Sequence, residues 1–352
     1  MKTPLRFALF LAAAATAFAG QKDKTLDIYW IDSEGGGSTL IVTPNDESVL
    51  IDTGNPGARD AGRIAEMAKA AGLTKIDYVA LTHYHIDHFG GGAALSQLMP
   101  IGSIYQRAVP EGDPDGRPNA SFFVNQIKPW NDIAAPRVAL AAGGSIPLKP
   151  VTGGPGLQLN VIGADKKFIE PTAEQMKTKN PLTGTGTAKT VAPSDNDNSA
   201  IFVLSFGGFK FFDGGDLTWE YEEKLVTPYN LPGVVDVYQT NHHGLEVSNN
   251  PILIKSLAPT VVVMNNGIRK GGQPGSFAAI KQATSVEALY QIHKSANQGA
   301  ENTPDEFIAN LSLVQSEDQG HYIKLSVAPD AKTYTISIPA TGHSKTFKTK
   351  VQ

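Results

Sequence analysis

The chain has 352 residues, a hydrophobic fraction of 41% and a formal net charge of −4. That length allows one large domain or two small ones, and the hydrophobic share is ordinary for a globular protein. Slight acidity excludes a global basic field that would draw the chain to nucleic acid or to an anionic membrane. Cysteine is absent, so disulfides and a cysteine-linked lipid anchor are excluded.

Residues 1–19 read as a secretory signal peptide. Lys2 and Arg6 make a basic start, Phe7 to Ala19 is apolar apart from Thr16, and Ala17-Phe18-Ala19 fits the small-x-small cleavage rule. A membrane-spanning helix needs about 20 apolar residues, more than this run supplies. The expected product, 20–352, is an exported protein, periplasmic or secreted, with no span after cleavage.

Leu26 to Ile31 alternates as a first strand. Ser38 to Val42 and Ser48 to Ile51 follow, joined by a turn at Pro44-Asn45-Asp46. Residues 59–72 carry a helical period through Ala61, Ile64, Ala65 and Ala68, and Gly72 ends them. Ile76 to Leu81 is a buried strand. The stretches 106–155 and 164–197 are rich in Pro, Gly, Asn and Asp and are expected as cap-like insertions over the site. Strands return at Ala200 to Phe206, Phe209 to Phe212, Val234 to Thr240 and Thr260 to Met264, with helices near 218–226, 250–257 and 276–283. A β-hairpin is expected at about 321–340.

The strand ending at Leu81 runs into Thr82-His83-Tyr84-His85-Ile86-Asp87-His88-Phe89-Gly90-Gly91. Three of the chain's eight histidines fall in this one loop. Neutral imidazoles and a carboxylate are ligands for zinc and similar divalent ions. His83 and His85 can face one ion, and Asp87 and His88 a second. Two ions sharing a water make a hydroxide nucleophile at neutral pH. Asp52 ends an earlier strand and is expected to orient a metal-ligating histidine through its second ring nitrogen.

The spacing H-x-H-x-D-H followed by Gly-Gly resembles the signature of the metallo-β-lactamase superfamily. The resemblance implies an α/β fold, a four-layer αββα sandwich, with a dinuclear metal site. It implies that Asp216, in Gly215-Asp216, bridges the two ions. It places the last histidine ligand at His242-His243, with His242 the metal ligand and His243 a catalytic group able to donate to an oxyanion. The roles of these two histidines could be reversed. Asp87 is both ligand and catalytic proton acceptor.

One expected histidine is missing. The family's third ligand to the first metal falls where this chain has Ser194-Asp195-Asn196-Asp197-Asn198, so the first ion is expected to take an oxygen ligand, with Asn198 or Asp197 the candidate, a water, or nothing. Asp197-Asn198-Ser199, Gly215-Asp216-Leu217 and His242-His243-Gly244 are similar to the soluble hydrolase domain of the DNA-uptake competence proteins. Those domains often carry a further His-Pro, replaced here by Gly272-Gln273-Pro274.

These readings imply two divalent ions, zinc by default, with manganese or iron admitted by an oxygen-rich first site. The leading expectation is hydrolysis of a small or short phosphodiester, because two ions can clamp its attacking and leaving oxygens. A polynucleotide grip lacks a strong basic stripe, although Lys166, Lys167, Lys177 and Lys179 lie in the cap. Hydrolysis of a carbon ester, lactone or β-lactam is the alternative. A non-catalytic binding protein with a relic metal site is the alternative of another class.

Overall fold

The structure, a computed structural model, describes residues 23–118, 120–315 and 320–350. The expected signal peptide lies outside the described residues. Among those described, no helix is long and apolar enough to cross a membrane.

Two large mixed sheets face one another. The first runs, from one edge, His343–Lys348, Thr333–Ile338, Ile323–Val327, Leu26–Trp30, Thr39–Val42, Ser48–Ile51, Ile76–Ala80, Ile101–Gln106 and Arg137–Ala139. The second runs Ile308–Asn310, Ala288–His293, Val261–Met264, Val237–Gln239, Phe209–Asp213, Ile201–Phe206, Leu157–Ala164 and Ser145–Ile146. Between them lies a dry core that includes Ile28, Trp30, Ile51, Leu159, Phe202, Phe211, Val263 and Tyr290. Trp30 stays wholly inside because its indole N–H reaches Gln239 Oε1 at 2.7 Å.

Helices cover each outer face. Ala58–Ala70 buries Ala61, Ile64, Ala65 and Ala68 against the first sheet, the face expected from the sequence period. Trp219–Val226, Pro251–Leu257 and Pro274–Lys281 cover the second through Leu225, Leu253 and Phe277. The expected αββα sandwich is therefore the fold.

Several elements were not foreseen. Residues 106–155 hold a helix, Ala120–Asn131, whose Phe123, Ile127 and Trp130 fill the outer core at i, i+4 and i+7. Pro129, inside its last turn, hides that period. The same stretch also adds strands to both sheets. Among the described residues of that stretch, Asp113, Pro114, Asp115, Arg117, Phe122, Phe123 and Gln126 border the cavity described below. The C-terminal region adds His343–Lys348 to the two strands of the expected hairpin, making a three-stranded meander beside Leu26–Trp30.

Strand direction sets where chemistry collects. Ser48–Ile51 and Ile76–Ala80 run parallel, as do Phe209–Asp213, Val237–Gln239 and Val261–Met264. Their carboxyl ends therefore open on one rim, where ligands gather in open α/β sheets.

Candidate metal centre

Asp52 leaves its strand with φ 60°. That left-handed turn aims its carboxylate at the neighbouring strand end. It accepts from Thr82 N at 2.8 Å and Thr82 Oγ1 at 2.7 Å, and lies 2.6 Å from His88 Nδ1. A proton on His88 Nδ1 leaves Nε2 bare and pointing inward. We expect Asp52→Ala to weaken metal affinity about 10- to 100-fold, the range for such outer partners. Competition with a chromophoric chelator reads it, and an unchanged affinity would dismiss the orienting role.

A single helical turn, Ile86–Phe89, follows the His83-Tyr84-His85 stretch. It brings His88 Nε2 to 3.2 Å from Asp87 Oδ2 and 3.3 Å from Asp216 Oδ2. His243 Nε2 lies 3.5 Å from Asp87 Oδ2 and 3.4 Å from Asp216 Oδ1. Beside this group, His83 Nε2 is 3.1 Å from His85 Nδ1 and 3.8 Å from Asp216 Oδ2. The ligand atoms of Asp87, His88, Asp216 and His243 all lie within 4.8 Å of one another, and so do those of His83, His85 and Asp216. Asp216 belongs to both sets.

The donors fit divalent ions. His88 Nε2, His243 Nε2 and Asp216 Oδ1 are buried with no hydrogen-bond partner. Leaving such groups unpaired is costly, and a cation held between them removes the cost. Burial and the charge of His88 together push His83 well below its ordinary pKa, keeping the imidazole neutral. Burial opposes the charged forms of His88 and Asp87 too. Even so, Asp216, Asp87 and Asp52 hold His88 well up, and His88 and His243 hold Asp87 well down. The pocket is thus organised around strong local fields of both signs.

The structure groups His243, rather than His242, with Asp87, His88 and Asp216. His242 and His243 both sit at positive φ, 51° and 54°, an uncommon state for consecutive non-glycine residues. The kink is held by His242 N on Gly215 O at 3.0 Å and Gly272 N on His243 O at 3.0 Å. It turns the fully buried His243 inward to the ligand group. His242 faces the cavity instead, with 12% of its side chain exposed and Nε2 3.5 Å from Asp216 Oδ2. Burial pushes its pKa down to about 4, so it is neutral at pH 7.

Asn198 and Asp197 are engaged by other partners. Asn198 Nδ2 donates to Asp195 Oδ1 at 3.1 Å, while Asp197 takes the Thr218 hydroxyl at 2.5 Å and Lys166 at 3.4 Å. A tight turn, Asp195–Asn198, sends successive side chains to different sides. The side chain it sends towards His242 is Asn196, whose Nδ2 is 3.5 Å from His242 Nε2 and whose buried Oδ1 has no partner.

Two further residues escaped sequence reading. Asp115 takes His85 Nε2 at 3.0 Å, which turns His85 Nδ1 towards the first group. Lys270 pairs with Asp87 Oδ2 from a distant loop. Tyr84, His85, Asp87, Asp115, Phe122, Asp216, His242 and Lys270 line a cavity of about 260 Å³. A third group, Asp32, Glu34 and His293, also has ligand spacing. Arg63 already supplies its cation, 3.0 Å from Asp32 Oδ2, so it serves as an ion-pair clamp between strand ends.

Glu222 braces the histidine turn, accepting from Asn241 Nδ2 at 2.6 Å, Asn249 N at 2.8 Å and Asn250 N at 2.7 Å. Burial raises its carboxyl from the ordinary 4.5 to about 7. Between those values the folded chain keeps a proton that the unfolded chain has lost, so stability falls as pH rises. Wild type should lose roughly 3 kcal/mol relative to Glu222→Gln between pH 4.5 and 8, read from urea unfolding. Parallel stability profiles for the two proteins would contradict this.

The metallo-beta-lactamase superfamily model matches residues 32–160. Competence protein ComA of Neisseria gonorrhoeae is 24% identical over 233 residues, which is 66% of this chain and 26% of ComA. The chain thus spans about a quarter of that relative. An atrochrysone carboxyl ACP thioesterase of Passalora fulva is 42% identical over 65 residues, 18% of this chain and 19% of the thioesterase. The metallo-beta-lactamase fold protein YhfI of Bacillus subtilis superposes with TM-score 0.46 at 12% identity, covering 75% of this chain and 95% of YhfI. Residues 32–160 thus resemble the metallo-β-lactamase superfamily, whose members are mostly metal-dependent hydrolases.

Proposed function

We propose that the protein is an exported hydrolase of a small phosphodiester, working with two divalent ions. The observation that carries this reading is Asp216, whose carboxylate belongs to two adjoining ligand groups. His83, His85 and Asp216 would hold one ion, and Asp87, His88, Asp216 and His243 the other. Bound ions supply Lewis acidity and make water nucleophilic near neutral pH.

The chain's own side chains do the rest. Asp52 and Asp115 fix the ring orientations of His88 and His85. Asp87 Oδ2 is the acceptor for the proton that the attacking water gives up. His242 donates a ring N–H to the substrate oxygen on which charge develops. Ser248 Oγ lies 3.5 Å from His242 Nδ1 and Asn196 Nδ2 lies 3.5 Å from its Nε2, so the ring is bracketed at both nitrogens. A small substrate suits the surface, since Lys166 is paired with Asp197 and Lys177 with Glu174.

Hydrolysis of a carbon ester or thioester is the second reading, supported by the short similarity to the thioesterase. Metal analysis of purified protein, with parallel turnover of bis-p-nitrophenyl phosphate, a lactone and nitrocefin, separates the readings. Two equivalents of metal and diester cleavage are expected. Turnover of the lactone alone would move the assignment to carbon esters, and two ions with no turnover would indicate a binding protein. Export is tested by the N-terminus of protein recovered from the producing cell. Cleavage after Ala19 is expected, and an intact terminus would replace export with anchoring.

A further inference from the structure

The loop after Val261–Met264 is built to place one lysine. Gly267 N bonds Lys270 O at 2.9 Å, and Gly272 N bonds His243 O at 3.0 Å, so the loop is fastened to a ligand residue's own backbone. Asn297 Nδ2 holds Gly271 O at 2.6 Å. Gly35, at φ 84°, packs against the lysine from the opposite loop, and a Cβ there would lie 3.0 Å from Lys270 Cβ. Lys270 thus occupies a prepared position, 40% exposed, with Nζ on Asp87 Oδ2 at the cavity wall.

That ammonium group needs a partner in the loaded site. Asp87 is its ion-pair partner in this structure, yet an ion on Asp87 takes up the same carboxylate charge. The lysine then stands beside cations with its own charge uncompensated. Of the cations lining the cavity, Arg117 is committed to Asp115 at 2.6 Å. Among the described residues lining the cavity, Lys270 is the cation left to meet what enters.

We infer that Lys270 is a specificity-determining anion anchor, selecting substrates with a negative charge on or next to the reacting group. The inference rests on the dinuclear phosphodiesterase reading and narrows it. A diester's non-bridging oxygen or a carboxylate beside an ester would each satisfy the ammonium. A neutral ester or lactone would leave it unpaired over the metals. One charge-assisted contact at a partly exposed site favours the anionic ligand about tenfold or more.

Inorganic phosphate is the probe, titrated calorimetrically into wild type, Lys270→Met and Lys270→Arg at equal metal load. Lys270→Met should weaken phosphate binding about tenfold or more while keeping its metal content. Lys270→Arg should stay within about threefold of wild type. The preference for bis-p-nitrophenyl phosphate over p-nitrophenyl acetate should fall in Lys270→Met by a similar factor. Equal phosphate affinity in wild type and Lys270→Met would overturn the inference. Loss of an ion from Lys270→Met would overturn it too, by making the lysine a support for the ligands. Fewer than two ions in wild type would instead defeat the dinuclear reading, and the phosphate comparison would still judge Lys270.

Discussion

Asp216→Ala is expected to weaken both ions, whereas His88→Ala weakens one. The two ligand groups differ in every member except Asp216. Removing His88 leaves His83, His85 and Asp216 intact around the first ion. Removing Asp216 leaves the first with two imidazoles and deprives the second of the carboxylate that lies 3.3 Å from His88 and 3.4 Å from His243. Two neutral imidazoles hold zinc weakly compared with three or four donors that include a charge. Wild type should carry two equivalents; His88→Ala should weaken only the second ion, while Asp216→Ala should lose the first ion and hold the second more weakly, carrying one equivalent or less at micromolar free metal. Turnover should fall at least about a thousandfold in Asp216→Ala, because the nucleophile and the charge stabilisation go together. Mass-spectrometric metal counting decides it. Two equivalents in Asp216→Ala would show that the groups are separate sites and that the carboxylate does not join them.

The metal loop was legible because its signal is local. His83, His85, Asp87 and His88 sit within six residues of one another, and a strand end plus one helical turn aims them. Asp216 was legible for a related reason: Gly215 precedes it at φ 55°, and the strand Phe209–Asp213 ends on the same rim. Asp115, Asn196 and Lys270 were not. Each comes from a loop whose sequence carries no period, and each is defined by a partner 30, 46 or 183 positions away. The choice between His242 and His243 turned on two positive φ values that no side-chain pattern encodes. In the fold, alternation gave the central strands, while Ala288–His293 and Ile308–Asn310, set among polar turns, went unseen. Leu157–Ala164 alternates in its first residues and was legible in principle.

The paired histidines invite the most discriminating measurement. His243 is fully buried, with both ring nitrogens lacking partners and Nε2 facing two carboxylates. Its truncation removes a donor that nothing nearby replaces. We expect His243→Ala to lose one ion and most activity together. His242 is different in kind. Its ring lines the cavity, burial holds it neutral with a pKa of about 4, and Asn196 and Ser248 approach its two nitrogens at 3.5 Å. A neutral imidazole there donates a hydrogen bond without demanding a counter-ion. Its loss should leave metal content at two while turnover falls about 10²- to 10³-fold, the scale for one preorganised donor. If the ring acts only in this way, His242→Gln, which restores an N–H of similar reach, should recover part of the rate. An ion lost from His242→Ala, with none lost from His243→Ala, would return the ligand role to His242 and make the buried ring the catalytic one.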